Sequence, residues 1–349
     1  MKKFARTYSS TDLPKRLEAF KENLGKIVKH NSIRPNRMKL GVTKFADMSA
    51  EEFRVRVLGG APVKSHLANT PLPKAVGMLE DPVILEIDAS AKQSDAPGQP
   101  AIPTPAPIGG AANANHTKFR PRYPYWEPRM PKNIPRSLDW RSQVNILHAV
   151  KDQGMCGASW AFATSTVIES ALAIKHNIPA PSLSEQFLIS CHPSKKGCSG
   201  GGFYPQALEY LVSIGKLYTE DQFPYVQKNA TCQNMTSFNS SYEIKGFRSS
   251  FDTVMHTRSL DISLLMMLKD GPVGIAVNAD NLQLYLSGLY VPGNCSKTAD
   301  HSVTMIGYEP GHYIVRNSWG ADWGYQGHFF LPRGPGECGL DAGGWQPKL

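Results

Sequence analysis

The chain of 349 residues is short of several features that would have placed it quickly. No run of about 18 apolar residues occurs, so nothing in it reads as a membrane-spanning helix. No CxxC pair occurs, which removes the usual ligand spacing of a structural zinc site. Internal repeats are absent, so a solenoid or propeller is excluded. Cysteine is missing from the first 155 residues; all six cysteines fall between positions 156 and 338. Acidic charge is scarce at the start, where residues 1–60 sum to +8, whereas residues 133–349 sum to −1. The net +9 is therefore a property of the N-terminal block, and a nucleic-acid-binding surface is not expected of the large region. Met1-Lys2-Lys3-Phe4 is not followed by an apolar core, so no signal peptide is read there, and the expectation is a chain cut short at its start.

What is present divides into three parts. Residues 11–31 carry Leu17, Phe20, Leu24, Ile27 and Val28 at helical spacing, with Thr11 as a cap and Pro14 in the first turn. Ser49–Phe53 reads as a second, short helix. Residues 61–132 are rich in Pro, Ala and Gly, a composition that predicts an extended or disordered linker, with a short strand or docking segment expected at Val83–Ile87. Residues 133–349 have the texture of a globular domain, helical first and strand-like after about residue 242. Expected helices start at Ser159, at Ser182 (a capping box with Glu185) and at about residue 203. Expected strands are Val273–Val277, Leu289–Val291, His301–Gly307, His312–Arg316 and His328–Leu331.

An even number of cysteines in one region predicts disulfides and an oxidising compartment. Asn115, Asn229, Asn234, Asn239 and Asn294 each begin an N-x-S/T sequon, which points the same way.

The large domain is organised around Gln153-Gly154-Met155-Cys156-Gly157-Ala158-Ser159-Trp160, a turn that leads into a helix. It resembles the nucleophile segment of papain-family cysteine peptidases, Q-G-x-C-G-[SA]-C-[WY], except that Ser159 stands where the family has its cysteine. Asp300-His301-Ser302 and Asn317-Ser318-Trp319-Gly320 resemble the family's histidine and asparagine segments. Arg16, Phe20, Asn23, Ile27 and Asn31, with Asp12 ahead of them, resemble the ERFNIN order of cathepsin L-type propeptides. Gly41-x-Thr43-x-Phe45-x-Asp47 resembles their GNFD motif.

The resemblance implies an α+β papain-like fold: a helical left half, a β-barrel-like right half and a cleft between, preceded by a small helical propeptide. It implies an inhibitor domain of the I29 type at 1–60, a linker at 61–132 and a peptidase domain at 133–349. Its catalytic set would be Ser159, His301, Asn317 and Gln153. Substrate would meet Gly200, Gly201, Gly202, Phe203, Ala276, Ala299, Asp300, Trp319 and Gly343, with Trp323 behind, and an apolar residue two before the cut would be preferred. The implied disulfides are Cys156–Cys198, Cys191–Cys232 and Cys295–Cys338. No metal or other cofactor is implied. The partners would be a peptide or protein substrate and the chain's own residues 1–60 lying in the cleft, released at acidic pH as paired carboxylates lose charge. The chain would be a monomer, lysosomal, vacuolar or secreted.

A serine hydroxyl does not ionise near neutrality, so the thiolate–imidazolium pair of the family is lost and activity should fall strongly. Three explanations fit Ser159. The exchange was introduced to keep a zymogen uncut; or the chain is a natural serine-bearing relative; or it is an inactive peptide-binding protein. Cys156–Phe162 is similar to the C-G-[AS]-S-Y-A-F segment of silicateins, although Trp160 replaces their Tyr.

Overall fold

The computed structural model describes residues 7–33, 38–60, 131–194, 196–200, 202–233, 242–257, 259–290, 298–334 and 337–349. Nearly all of the linker, with Val83–Ile87, lies outside these residues, as do Gly201 and Cys295. Residues 7–60 and 131–349 belong to one compact unit.

The N-terminal part holds helix α1 (Leu13–Ile33), the short strand β1 (Lys39–Leu40) and helix α2 (Ala50–Arg56). α1 buries Ala19, Asn23 and Ile27, which recur every four residues and so share one face. α2 starts where Ser49 turns its side chain back to accept the Glu52 N–H, with Glu51 and Glu52 in the positive first turn.

The C-terminal part opens with β2 (Leu138–Asp139). Three helices follow: α3 (Ser159–His176), α4 (Glu185–Cys191) and α5 (Tyr204–Ile214). α3 is apolar around most of its girth, as a helix enclosed by others must be. It stops where Asn177 takes a left-handed conformation at φ 52°. The cap of α4 is Ser184, which accepts the Phe187 N–H at 2.9 Å; the Ser182 capping box expected from the sequence does not form. Glu185 is spent elsewhere. It and Glu169 of α3 both accept from the Lys151 ammonium, at 2.6 and 2.7 Å, so a buried ion cluster ties α3 to α4.

After residue 242 come β3 (Gly246–Ser249), α6 (Ser250–Thr257), α7 (Leu260–Asp270), β4 (Val273–Val277) and β5 (Tyr285–Ser287). The chain closes with β6 (His301–Glu309), β7 (His312–Arg316), β8 (His328–Pro332) and β9 (Gly344–Lys348). Two helices thus stand in what the sequence presented as strand country. Leu264–Leu268 is an unbroken apolar run, which periodicity alone cannot divide between strand and helix; the Ser259 cap decides it. Of the strand expected at 289–291, Val291 lies outside the described residues; Leu289 makes an isolated bridge to Phe330, and a strand lies earlier, at 285–287.

The antiparallel sheet has the order β3-β9-β4-β6-β7-β8, with β2 also on β6. It is not a barrel, which corrects the expected β-barrel-like half. β3 and β8 are separate edges, and closing them would require a consistent tilt and stagger through every strand. β3 runs straight into α6, which carries the chain out of the sheet, and the outer side of β8 takes the isolated bridge from Leu289.

Two large apolar cores result, with a small third cluster in which Ile27 of α1 packs on Ala46 and Leu284. One packs α3, α4 and α5 around Trp160, Phe187 and Tyr204. The other fills the sheet side, and it includes Phe45, Met48, Phe53, Val57 and Leu58 from the N-terminal part. At roughly 1.5–3 kcal/mol per fully buried large apolar side chain, these five residues make the N-terminal part integral to the second core.

Candidate active site

α3 begins at Ser159, and the first backbone N–H groups of a helix lack acceptors within it. Ser159 Oγ is buried and accepts the backbone N–H of Ser302 at 3.2 Å. That bond ties the start of α3 to the start of β6, where His301 stands beside Ser302.

The His301 ring is almost fully enclosed, and Trp319 stacks on it with centroids 4.7 Å apart. Its Nε2 lies 2.8 Å from Asn317 Oδ1. The same Oδ1 accepts the Ser318 N–H at 2.8 Å, which identifies that atom as the oxygen of the amide. Nε2 must then be the protonated nitrogen, and Nδ1 carries the lone pair. Nδ1 has no hydrogen-bond partner among the described residues. Burial pushes the ring down to about 4 against the raising effect of the Asn317 bond, so His301 is neutral near pH 7. Asn317 Nδ2 and Trp319 Nε1 are likewise buried and unpartnered among the described residues.

Gln153 is fully buried. Its Oε1 accepts the Ser318 hydroxyl at 2.6 Å, and its Nε2 donates to the carbonyls of Cys156 and Val57, each at 2.9 Å. The last contact is with the N-terminal part. A backbone carbonyl of residues 57–60 therefore sits on the amide of Gln153. Two residues on, Gly59 (φ 86°) is pressed between Gly157 and Gly200, and a Cβ on it would lie 2.2 Å from Gly200 Cα. No side chain fits there. The Gly59-Gly60 pair after Val57-Leu58 was the available sequence signal for this contact, and the motif reading passed over it.

The remaining candidate residues fall in two groups. On the sheet side, Ala276 pairs with Ser302 and Val277 with His301, while Ile275 pairs with Gly344 next to Gly343. Ala299 and Asp300 lead into His301. Gly343 is held at φ 78° with Phe251 within 2.6 Å of a notional Cβ. On the helical side, Gly202 lies against the Trp160 ring, and Phe203 meets Trp345 edge-on at 5.6 Å. Trp345 belongs to β9, so this contact joins the two groups. Asp300 accepts the Ala279 N–H at 2.7 Å, and burial pushes its carboxyl up to about 7, with nearby Arg54 of α2 opposing. Trp319 also touches Phe45 and Phe53 edge-on at 5.3 and 5.4 Å, and Trp323 at 4.8 Å.

Disulfides join Cys156 to Cys198 and Cys191 to Cys232. The first fixes the loop of Gly200 beside the Ser159 turn. Cys338 is also disulfide-bonded. No group of three or more metal-ligating side chains is found among the described residues.

A buried hydroxyl at a helix start, a neutral imidazole with its lone pair free, and a buried amide facing a bound carbonyl form the outline of an acyl-transfer site. Residues 134–347 match the family described as papain family cysteine protease, and residues 1–53 match the cathepsin propeptide inhibitor domain (I29). The chain belongs to the papain family of cysteine proteases, with an I29-type propeptide domain ahead of the protease domain. It is similar to cysteine proteinase 1 of Dictyostelium discoideum, at 30% identity over 97% of this chain and 88% of that protein. Pro-cathepsin H of Mus musculus is 28% identical over 98% of this chain and 86% of its own length. Among solved structures, digestive procathepsin L 3 of Tenebrio molitor larval midgut superposes with a TM-score of 0.70. It is 27% identical and the match covers 99% of this chain and 96% of that one.

Proposed function

We propose that the chain is a peptidase zymogen whose reacting hydroxyl is Ser159 and whose residues 1–60 hold the cleft closed. The observation that carries this reading is the His301 tautomer. With Nε2–H held by Asn317, Nδ1 is free to take the proton of Ser159 Oγ as the oxygen attacks a peptide carbonyl. The Gln153 amide and the backbone N–H of Ser159 would receive the oxyanion. His301 would then pass its proton to the leaving amine, and water would release the acyl group by the same steps in reverse.

Val57 O on Gln153 Nε2 supports the closed state, because a backbone carbonyl of the prosegment already takes a hydrogen bond that a substrate carbonyl would need. The small or apolar residues Gly202, Phe203, Ala276, Ala299 and Gly343 support a preference for an apolar side chain two residues before the cut. The disulfides and sequons support a secretory route ending in a lysosome, a vacuole or outside the cell, and a glycosylated chain.

Serine in place of the family's cysteine leaves the ring neutral and without a thiolate, so activity is expected to be strongly reduced. Ser159→Cys, after removal of residues 1–130, is expected to raise kcat/KM on a fluorogenic peptide with an apolar residue at that position by between about 10³ and 10⁶. Cleavage by the serine form that vanishes in His301→Ala would identify a working Ser-His-Asn site. Binding without cleavage by both forms would favour the second reading, an inactive peptide-binding or silicatein-like protein. Its supporting observation is that the Ser159 hydroxyl accepts from Ser302 and has no hydrogen bond to His301 Nδ1.

A further inference from the structure

Of the five sequons, Asn229-Ala230-Thr231 is the one whose three residues are all described, and all three are exposed. The side chain of Asn229 is not idle. Its Oδ1 accepts the backbone N–H of Cys198 at 2.7 Å. It also lies over Gly197, whose φ is 52° and where a Cβ would come within 2.1 Å of that oxygen. Asn229 thus braces the 197–200 turn, which carries Gly200 and is tied to the Ser159 turn through Cys198–Cys156. The brace uses the amide oxygen alone. The amide nitrogen makes no part of it.

We propose that Asn229 carries an N-linked glycan, and that the sugar shields the outer side of the cleft wall at 196–200. The proposal rests on the secretory reading above. In the transfer, Asn229 Nδ2 forms a bond to the anomeric carbon of a lipid-linked oligosaccharide diphosphate. The bond from that carbon to the diphosphate oxygen breaks, the diphosphate leaves with the electron pair, and one amide proton is lost. The product is a secondary amide that keeps its carbonyl oxygen, so the bond from the Cys198 N–H survives modification. The chain from Asn229 runs to Cys232, whose disulfide to Cys191 holds the sequon at the surface beside the turn. Lys196 is exposed on that turn and is the natural reporter of shielding.

The test uses the full chain secreted from a eukaryotic cell. Release by peptide N-glycosidase in heavy-oxygen water is expected to convert Asn229 to labelled aspartate in most molecules, and Thr231→Ala is expected to abolish that label while leaving the brace intact. Tryptic cutting after Lys196 is expected to be several-fold faster in Thr231→Ala than in the parent, and equally fast in the enzymatically deglycosylated parent. Recovery of the 229–231 peptide unmodified while other sequons carry sugar overturns the proposal and leaves the secretory reading standing. No sugar at any sequon together with reduced cysteines overturns both. A labelled Asn229 with equal cutting rates in all forms overturns the shielding.

Discussion

The prosegment is built in two styles. α1 leaves Leu13, Leu17, Leu24 and Val28 between 41% and 62% exposed, whereas Phe45, Phe53 and Val57 are at most 2% exposed. α1 is held mainly by polar clamps, beside the small apolar cluster of Ile27 with Ala46 and Leu284. Asn23 donates to the carbonyls of Ala46 and Met48 at 2.9 and 2.8 Å, and Arg16 donates two parallel hydrogen bonds to the Glu52 carboxylate at 2.8 and 2.7 Å. Segment 43–58 is held by burial in the second core, by Gln283 donating to Phe45 O and Met48 O, and by the aromatic contact with Trp319. The difference teaches where closure resides. The helix orients the segment, and the segment closes the site.

Phe53→Ala should break this comparison most severely. Removing a buried ring from the shared core costs roughly 3–5 kcal/mol, read as a lower urea midpoint of the full chain and faster proteolysis at 43–60. Asn23→Ala strips the Ala46 carbonyl of its buried donor and leaves the Met48 carbonyl with the Gln283 amide alone. A loss of about 1–3 kcal/mol is expected by the same unfolding measurement, with α1 freed before 43–58 in hydrogen exchange.

Acid sharpens the comparison through its sign. Burial alone would raise the Glu52 carboxyl, but the bonds from Arg16 and Arg56 outweigh it and hold the group below its ordinary value. Its support is therefore complete above about pH 4.5 and is lost as pH falls through the lowered value. His301, held down to about 4, favours the closed form above its ordinary value of about 6.5 and withdraws that support as pH falls toward 4. Asp300, pushed up to about 7, acts oppositely, since the closed form keeps its proton as pH falls from 7. The two oppose each other as pH falls, so Asp300→Asn should release its prosegment at a higher pH than the parent, as followed by prosegment proteolysis across a pH series. An unchanged profile would remove this pair from the account.

Leu24→Ser should do least, within about 0.5 kcal/mol in thermal unfolding, because an exposed leucine loses little.

The parts legible in sequence were those with local signals. α3 announced itself by its apolar spacing, β4 by its β-branched run, and α2 by Ser49. Gln153, Ser159, His301 and Asn317 could be named from motifs, because each lies in a short distinctive segment. The open sheet was not legible. Its strand β9, Gly344-Trp345-Gln346-Pro347-Lys348, contains a glycine and a proline and gives no alternation, yet it is the strand that joins β3 to β4. The partners of Gln153 were equally hidden, since Val57 is 96 residues away and reaches it through tertiary approach alone.

Gln153 has a further consequence. Its backbone N–H donates to Ser318 O at 2.8 Å, its carbonyl accepts the Tyr225 hydroxyl at 2.7 Å, and both ends of its amide are engaged. When Val57 leaves, the remaining bonds still fix the orientation of the vacated N–H. Activation then requires no assembly step after the prosegment departs, and its time course should be a single exponential with the rate constant of that departure.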